Sequence, residues 1–370
     1  MKPKKSASGL SRRSFLGRAG VGMSLVGAST IMSLGQPVGA INNGDIVETH
    51  GSDPTLKPVK RNFKAIDWSI NAWFPGGIGA RFAGIGHPEL GVCNNSAPWM
   101  GLPYSKNRRE ELVKGWTPEF IIERFDMAGV EKGGLLACWA AEGLGGKDCR
   151  VEAEEVHAVV NKHPDRFYGI VGISSLPEKG NKYYGPTYIR NAIKQLGFKA
   201  VHMYPHWFGI RIDDKRMYPI YETCSELDVP FLFQIGTGTG MSNSRLAALP
   251  EWADPIARDF PTLKIIGIHG GGSWEQNYIN MLGKDPNVYW GLDANPPSTW
   301  ASRGLLDLLK QDRGPGYREK HQNYQDKIFW GTDFPVQDWV VSLEQFDALG
   351  LPEEISRKVL RDNVIRLLKL

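Results

Sequence analysis

Imidazoles and carboxylates recur in this chain at the ends of short apolar runs. Phe198–Val201 delivers His202, followed by Tyr204, Pro205, His206 and Trp207. Gln234 ends a second run, His269 a third, and Asp293 and Asp333 lie just past two more. A carboxylate facing imidazoles can act as a general base or as a metal ligand. The most pointed segments are His269-Gly270-Gly271-Gly272 and Gly331-Thr332-Asp333-Phe334-Pro335. Glycine after His269 lets backbone or ligand come close, and Asp333 lies between a β-type run and a loop stiffened by proline. An ordinary reading stands beside this one. Strand ends need polar groups where they turn, His202 could be a hydrogen-bonded core histidine, and His206 a surface loop residue.

Alternating strands and helices must position these residues. Strands are expected at Lys64–Asn71, Gly134–Ala140, Phe167–Ile173, Phe198–Tyr204, Val229–Ile235, Leu263–His269, Asn287–Leu292 and Lys327–Thr332. The first helix is marked by Thr117 as N-cap, Pro118 at its first position and Gly129 as its stop. The last barrel helix is expected at Ser342–Leu349, with closing helices over Glu354–Leu370. Such unbroken strand–helix alternation argues for a parallel sheet closed into a (β/α)8 TIM barrel, one domain over residues 63–370. No Gly-x-Gly-x-x-Gly follows the first strand, which weakens a dinucleotide-binding reading. In such a barrel chemistry sits at the C-terminal ends of the strands. The connection Ala72–Gly115, rich in glycine, proline and aromatics, is long enough for a lid or binding loop.

The first forty residues stand apart. Ser11-Arg12-Arg13-Ser14-Phe15-Leu16-Gly17 is a twin-arginine pattern, followed by a weakly apolar run and small residues at Pro37-Val38-Gly39-Ala40. It reads as an export signal over residues 1–40, with a polar arm over 41–62, and implies a periplasmic or secreted protein that folds before export. The apolar run is short for a spanning helix, so no stable membrane association is expected after its removal. The net charge is +4, and the six basic residues within 1–40, unopposed by any acid, leave −2 for the remainder. A slightly acidic body gives no reason to expect nucleic acid. Cys93, Cys138, Cys149 and Cys224 form no CxxC and read as buried thiols, although Cys138 and Cys149 could pair after export.

Over roughly Phe63–Leu370 the sequence resembles the amidohydrolase superfamily, in the branch of aminocarboxymuconate-semialdehyde decarboxylase. The resemblance rests on Ile66-Asp67, on Asp213-Asp214-Lys215-Arg216 before Pro219-Ile220-Tyr221, and on Asp259-Phe260-Pro261 leading into His269-Gly270-Gly271. Trp330-Gly331-Thr332-Asp333-Phe334-Pro335 and Asp362-Asn363 before Arg366-Leu367-Leu368 complete the order. Members of that family open with Asp-x-His-x-His, whose imidazoles hold a divalent metal; here Ser69 and Asn71 stand in those places. Gln234 replaces the strand-five metal histidine, and His202 occupies the strand-four place where some relatives carry a metal-bridging lysine. Only His269 and Asp333 match the family's catalytic set as they stand.

Ser, Asn and Gln are neutral oxygen donors and poor zinc ligands, so the ancestral site should bind metal weakly or not at all, and no cofactor is expected. An atypical zinc or manganese site from His202, His269 and Asp333 stays open as the alternative. Tryptophans and phenylalanines near strand ends (Trp68, Trp73, Phe74, Trp99, Trp139, Trp207, Phe208, Trp274, Trp300) suggest a flat substrate, although about half should be core. The expectation is a hydrolase or carboxy-lyase for a small cyclic or aromatic carboxylic acid or lactone. Asp333 would be base, His269 acid or carbonyl polariser and His202 a second imidazole. Asn71, Gln234, Tyr204, His206, Arg211 and Trp207 would bind substrate, Arg211 or His206 pairing with its carboxylate. The rival is a barrel that has lost catalysis and only binds a ligand. A homodimer is left open.

Overall fold

Strand follows helix with a regularity that leaves one topology. The computed structural model describes residues 61–80, 108–137, 150–174, 184–236, 245–270, 272–314 and 320–370. Eight strands lie side by side in chain order: β1 (Ala65–Asn71), β2 (Val130–Ala137), β3 (Phe167–Gly172), β4 (Ala200–Met203), β5 (Phe231–Gln234), β6 (Ile265–Ile268), β7 (Val288–Leu292) and β8 (Ile328–Trp330). All neighbouring pairs are parallel. The helices that return the chain are α1 (Pro118–Ala128), α2 (Ala153–Lys162), α3 (Pro186–Lys194), α4 (Tyr218–Glu226), α5 (Ala253–Asp259), α6 (Glu275–Lys284), α7 (Leu305–Lys310) and α8 (Trp339–Asp347). No helix among the described residues is long and apolar enough to cross a membrane.

The alternation of each strand divides the apolar residues between two cores. Ile66, Trp68, Leu136, Tyr168, Ile170, Ala200, Leu232, Ile266, Ile268, Tyr289 and Phe329 fill the barrel, plugged by Val364, Leu367 and Leu368 of the closing helix Asn363–Leu368. Their strand neighbours, such as Val201, Phe231, Ile265 and Trp290, face the helices. Gly331 is needed in this interior, because a Cβ there would lie 2.6 Å from Trp68 Nε1. His202 and Gln234 share a face with Ala200 and Leu232, so the period of two turns both side chains inward.

β1 meets β8 through a seam at the mouth. Ile70 bridges Phe334, Asp333 donates its N–H to Ser69 O at 3.2 Å, and Asn71 donates its N–H to Phe334 O at 2.9 Å. Asp67, wholly buried, rivets the same seam. Its carboxylate accepts from Thr332 N at 3.1 Å, Ser69 N at 3.3 Å, Trp339 Nε1 at 2.7 Å and the Thr332 hydroxyl. Burial pushes its pKa up to about 7, with these donors opposing the rise. Outside the seam, Asp338 caps α8 through Val340 N and Val341 N, while the α1 residue Arg124 grips it in a buried two-pronged pair at 2.7 and 3.0 Å. Truncating either partner would strand a buried charge, at a cost of about 3–5 kcal/mol.

The caps of α1 are those expected: Phe120 N donates to Thr117 Oγ1, and Gly129 turns left-handed at φ 69°. β2 begins at Val130 rather than Gly134, and α8 at Trp339 rather than Ser342. Expectations for residues 1–60 and for Cys93, Trp99, Cys138, Trp139, Cys149 and most of the Ala72–Gly115 connection lie outside the described residues. Cys224 is a buried free thiol.

Candidate active site

A register shift in β1 puts the first site residue in place. Ile66 and Trp68 face the barrel interior, but Ile70 belongs to the outer core, and the pairing with β2 slips between Asp67 and Ile70. Such a bulge re-aims the residues beyond it. Asn71 therefore turns back to the mouth, where its amide nitrogen donates to Asp333 Oδ1 at 2.8 Å and to Phe334 O at 3.0 Å, with Asp333 O at 3.4 Å. Oxygens on all these sides fix that end of the amide as nitrogen. Asp333 itself sits at φ 51°, uncommon for a residue with a side chain. A carboxylate clamped by an asparagine across the barrel seam is the result.

His269 comes from the end of β6, where strict alternation would aim it outward with Ile265 and Gly267. A left-handed backbone, φ 62°, redirects it. Its N–H donates to Asp293 Oδ1 at 2.7 Å, and its Nδ1 lies 3.2 Å from the same oxygen and 4.0 Å from Asp333 Oδ2. The ring contact to Asp293 lacks the alignment of a hydrogen bond, so the attraction is chiefly electrostatic. Burial opposes the charge on His269, but the two carboxylates outweigh it and raise the pKa to about 9. At neutral pH His269 is an imidazolium between two aspartates.

The loop after β7 holds Asp293 rigidly. Asn295 Nδ2 donates to Asp293 O at 2.7 Å, Arg303 donates to Asn295 Oδ1 at 2.8 Å, and Glu275 of α6 anchors Arg303 at 3.0 Å. Gly270 is obligatory beneath this network, since a Cβ would come within 2.2 Å of Asn295 Oδ1. The sequence singled out Asp293 as a strand-end carboxylate but gave it no partner. Its role as the nearest counter-ion of His269 depends on the backbone turn at His269, for which only the following glycines gave a hint.

The opposite side of the mouth is neutral. His202 of β4 and His206, on the short helix Pro205–Phe208, are both fully buried. Their four ring nitrogens have no hydrogen-bond partner among the described residues. Burial first, and then the positive charge on His269, lower both pKa values to about 3. Tyr204 meets the His202 ring edge-on with centroids 4.2 Å apart, and stacks on Trp207 at 3.9 Å. Gln234, at the end of β5, is nearly buried. Arg211 is not gathered with these groups. It is exposed, pairs with Asp213 at 2.8 Å and lies 3.4 Å over the Trp252 ring, so its charge already has a carboxylate. Trp68 and Trp300 are core residues, and Trp73 is tied to Leu112 O.

A divalent metal, which the resemblance implies for the usual ligand set of the family, does not fit this donor set. Asn71 presents nitrogen, not oxygen, to Asp333. Ser69 and Gln234 offer only neutral oxygen, which binds zinc poorly. Among the described residues no group of three or more His, Cys, Asp or Glu could hold an ion. The alternative site from His202, His269 and Asp333 is not among the groups these residues assemble.

Comparison with known proteins places this geometry. The family model described as Amidohydrolase matches residues 124–370. A 2-keto-4-carboxy-3-hexenedioate hydratase of Sphingobium sp. is 27% identical over 168 residues, 41% of this chain and 43% of that protein. A 2-amino-3-carboxymuconate-6-semialdehyde decarboxylase of Dictyostelium discoideum is 24% identical over 202 residues, 49% of this chain and 55% of that protein. The chain thus aligns with about half the length of these curated relatives. A 5-carboxyvanillate decarboxylase of Novosphingobium aromaticivorans, solved with manganese, superposes with a TM-score of 0.59. It is 16% identical, over 85% of this chain and 99% of that one, which establishes a shared fold.

Proposed function

The chain belongs to the amidohydrolase family, and from that premise we propose that it is an acid–base enzyme, independent of metal, for a small cyclic or aromatic carboxylic acid or lactone. As a family member that resembles decarboxylases and hydratases it is an enzyme, so the rival reading of a purely binding barrel is set aside. The observation that carries the mechanism is the pairing of a protonated His269 with the Asp333 carboxylate 4.0 Å away. That pairing sets a carboxylate beside a proton-bearing imidazole, the groups a base and an acid require.

In the hydrolytic reading Asp333 takes a proton from water as the water oxygen attacks the substrate carbonyl. His269 polarises the carbonyl oxygen and passes its proton to the leaving oxygen, while Asp293 keeps the imidazolium charged. Asn71 holds Asp333 by a hydrogen bond where a metal holds the corresponding group in relatives. A second reading, loss of CO2, is favoured by the likeness to the decarboxylase. There the electrons of the broken C–CO2 bond move to a conjugated carbonyl beside His269, whose proton ends on carbon.

The test is turnover of cyclic and aromatic carboxylic acids and their lactones in oxygen-labelled water, after exhaustive chelation. Label in the product marks hydrolysis, and released CO2 marks the lyase. Activity lost on chelation and restored by manganese would overturn the metal-independent reading. Export by the twin-arginine route is part of the proposal. It predicts that replacing Arg12 and Arg13 by lysine leaves the protein in the cytoplasm.

A further inference from the structure

His202 and His206 have no part in the proposed acid–base step, yet they are among the most buried polar groups of the described residues. Buried polar atoms are nearly always hydrogen-bonded, and an exception calls for an explanation. Here all four ring nitrogens are without a partner among the described residues. Nor does packing require imidazole. The contacts recorded for these rings are aromatic: Tyr204 against both, at 4.2 and 6.0 Å between centroids, and Trp207 against His206 at 5.5 Å. Phenylalanine would serve such contacts as well.

We infer that His202 and His206 form a neutral subsite that binds a hydroxyl group on the substrate ring. The inference rests on the reading of the mouth as the active site and deepens it to a substrate class, small ring acids bearing a hydroxyl. A neutral imidazole offers one N–H donor and one acceptor lone pair, the complement of a hydroxyl. These rings stay uncharged because burial and the positive His269 both oppose a proton on them, so a carboxylate would gain no ion pair there. The negative charge that develops in the reaction is met by His269. The two histidine environments thus orient a substrate that is polar at both ends, with the Tyr204–Trp207 stack as a flat wall.

Calorimetric binding of the three monohydroxybenzoates and the three matching methylbenzoates to the full chain tests this, with His202→Phe and His206→Phe alongside. The probes share one charge and nearly one shape. At least one hydroxybenzoate should bind wild type about tenfold or more tightly than its methyl counterpart, since a buried polar site strongly rejects an analogue that leaves it unpaired. In each phenylalanine variant the preference should fall to within about twofold, with methylbenzoate binding kept. Each variant should also melt no lower than wild type, because the substitution removes unpaired buried nitrogens. Equal binding within every probe pair, binding of none, or a preference that survives both substitutions would overturn the inference. Asp333→Asn should keep the preference. Failure of the acid–base reading would therefore appear as turnover by Asp333→Asn with hydroxyl selectivity intact.

Discussion

One residue type does opposite things on the two sides of this barrel mouth. On the β6–β8 side His269 is flanked by Asp293 and Asp333 and carries a proton to about pH 9. On the β4 side His202 and His206 are buried more deeply than His269, no carboxylate among the described residues compensates them, and both stay neutral down to about pH 3. Burial alone disfavours a charged imidazole; the neighbours decide whether that penalty is overcome. The same pairing of unlike environments lets one barrel mouth hold a charged and a neutral imidazole side by side.

Removing the base should break the charged side most severely. Asp333→Asn should lower kcat by about 10²–10⁴-fold with an unchanged far-UV circular dichroism spectrum, because general base catalysis is worth about that much. Asp293→Asn should act through His269. The alkaline limb of the kcat/KM profile, placed near pH 9 in wild type by the loss of the imidazolium proton, should move down by about 1–3 units. A limb that stays put in Asp293→Asn would show that Asp333 alone sustains the charge.

Stability against pH separates the two sides again. His269 has its folded pKa, about 9, above the ordinary 6.5, so its contribution is full below pH 6.5 and is lost as pH rises through about 9. His202 and His206 have folded values of about 3, below 6.5, so their contribution is present above pH 6.5 and drains away as pH falls toward 3. Denaturant midpoints should therefore fall on both flanks, and the phenylalanine variants should lose less on the acid flank. Arg211→Ala, on an exposed residue already paired with Asp213, should change stability by less than about 1 kcal/mol and leave turnover intact.

Much of the barrel is legible in the residues. β4 to β8 fall inside the runs expected for them, trimmed at the start because Phe198, Val229 and Leu263 pack before the ladder begins. β2 was harder to read. Val130 follows the Gly129 stop directly, and the half-buried charged pair Glu131 and Lys132 after it hides the alternation. The start of α8 was marked by Asp338, a cap whose signal was present but lay within the Pro335-Val336-Gln337 loop. At the site, the inward direction of His202 was expected from the strand-four place it takes in the resembled family, and Gln234 from its strand-five place; the period of two bears both out. The link between His269 and Asp293 was not expected, because it depends on one left-handed backbone turn. Likewise the Asn71–Asp333 clamp depends on a bulge that no apolar pattern reveals.

A ring-nitrogen NMR titration of the histidines tests the opposition of the two sides most directly. The account predicts that one imidazole, lost from the spectrum of His269→Gln, stays protonated at pH 7 and releases its proton near pH 9. Two others, assigned through His202→Phe and His206→Phe, should remain neutral as pH is lowered from 7 to 4. A neutral His269 at pH 7, or His202 and His206 titrating together near pH 6.5, would contradict it.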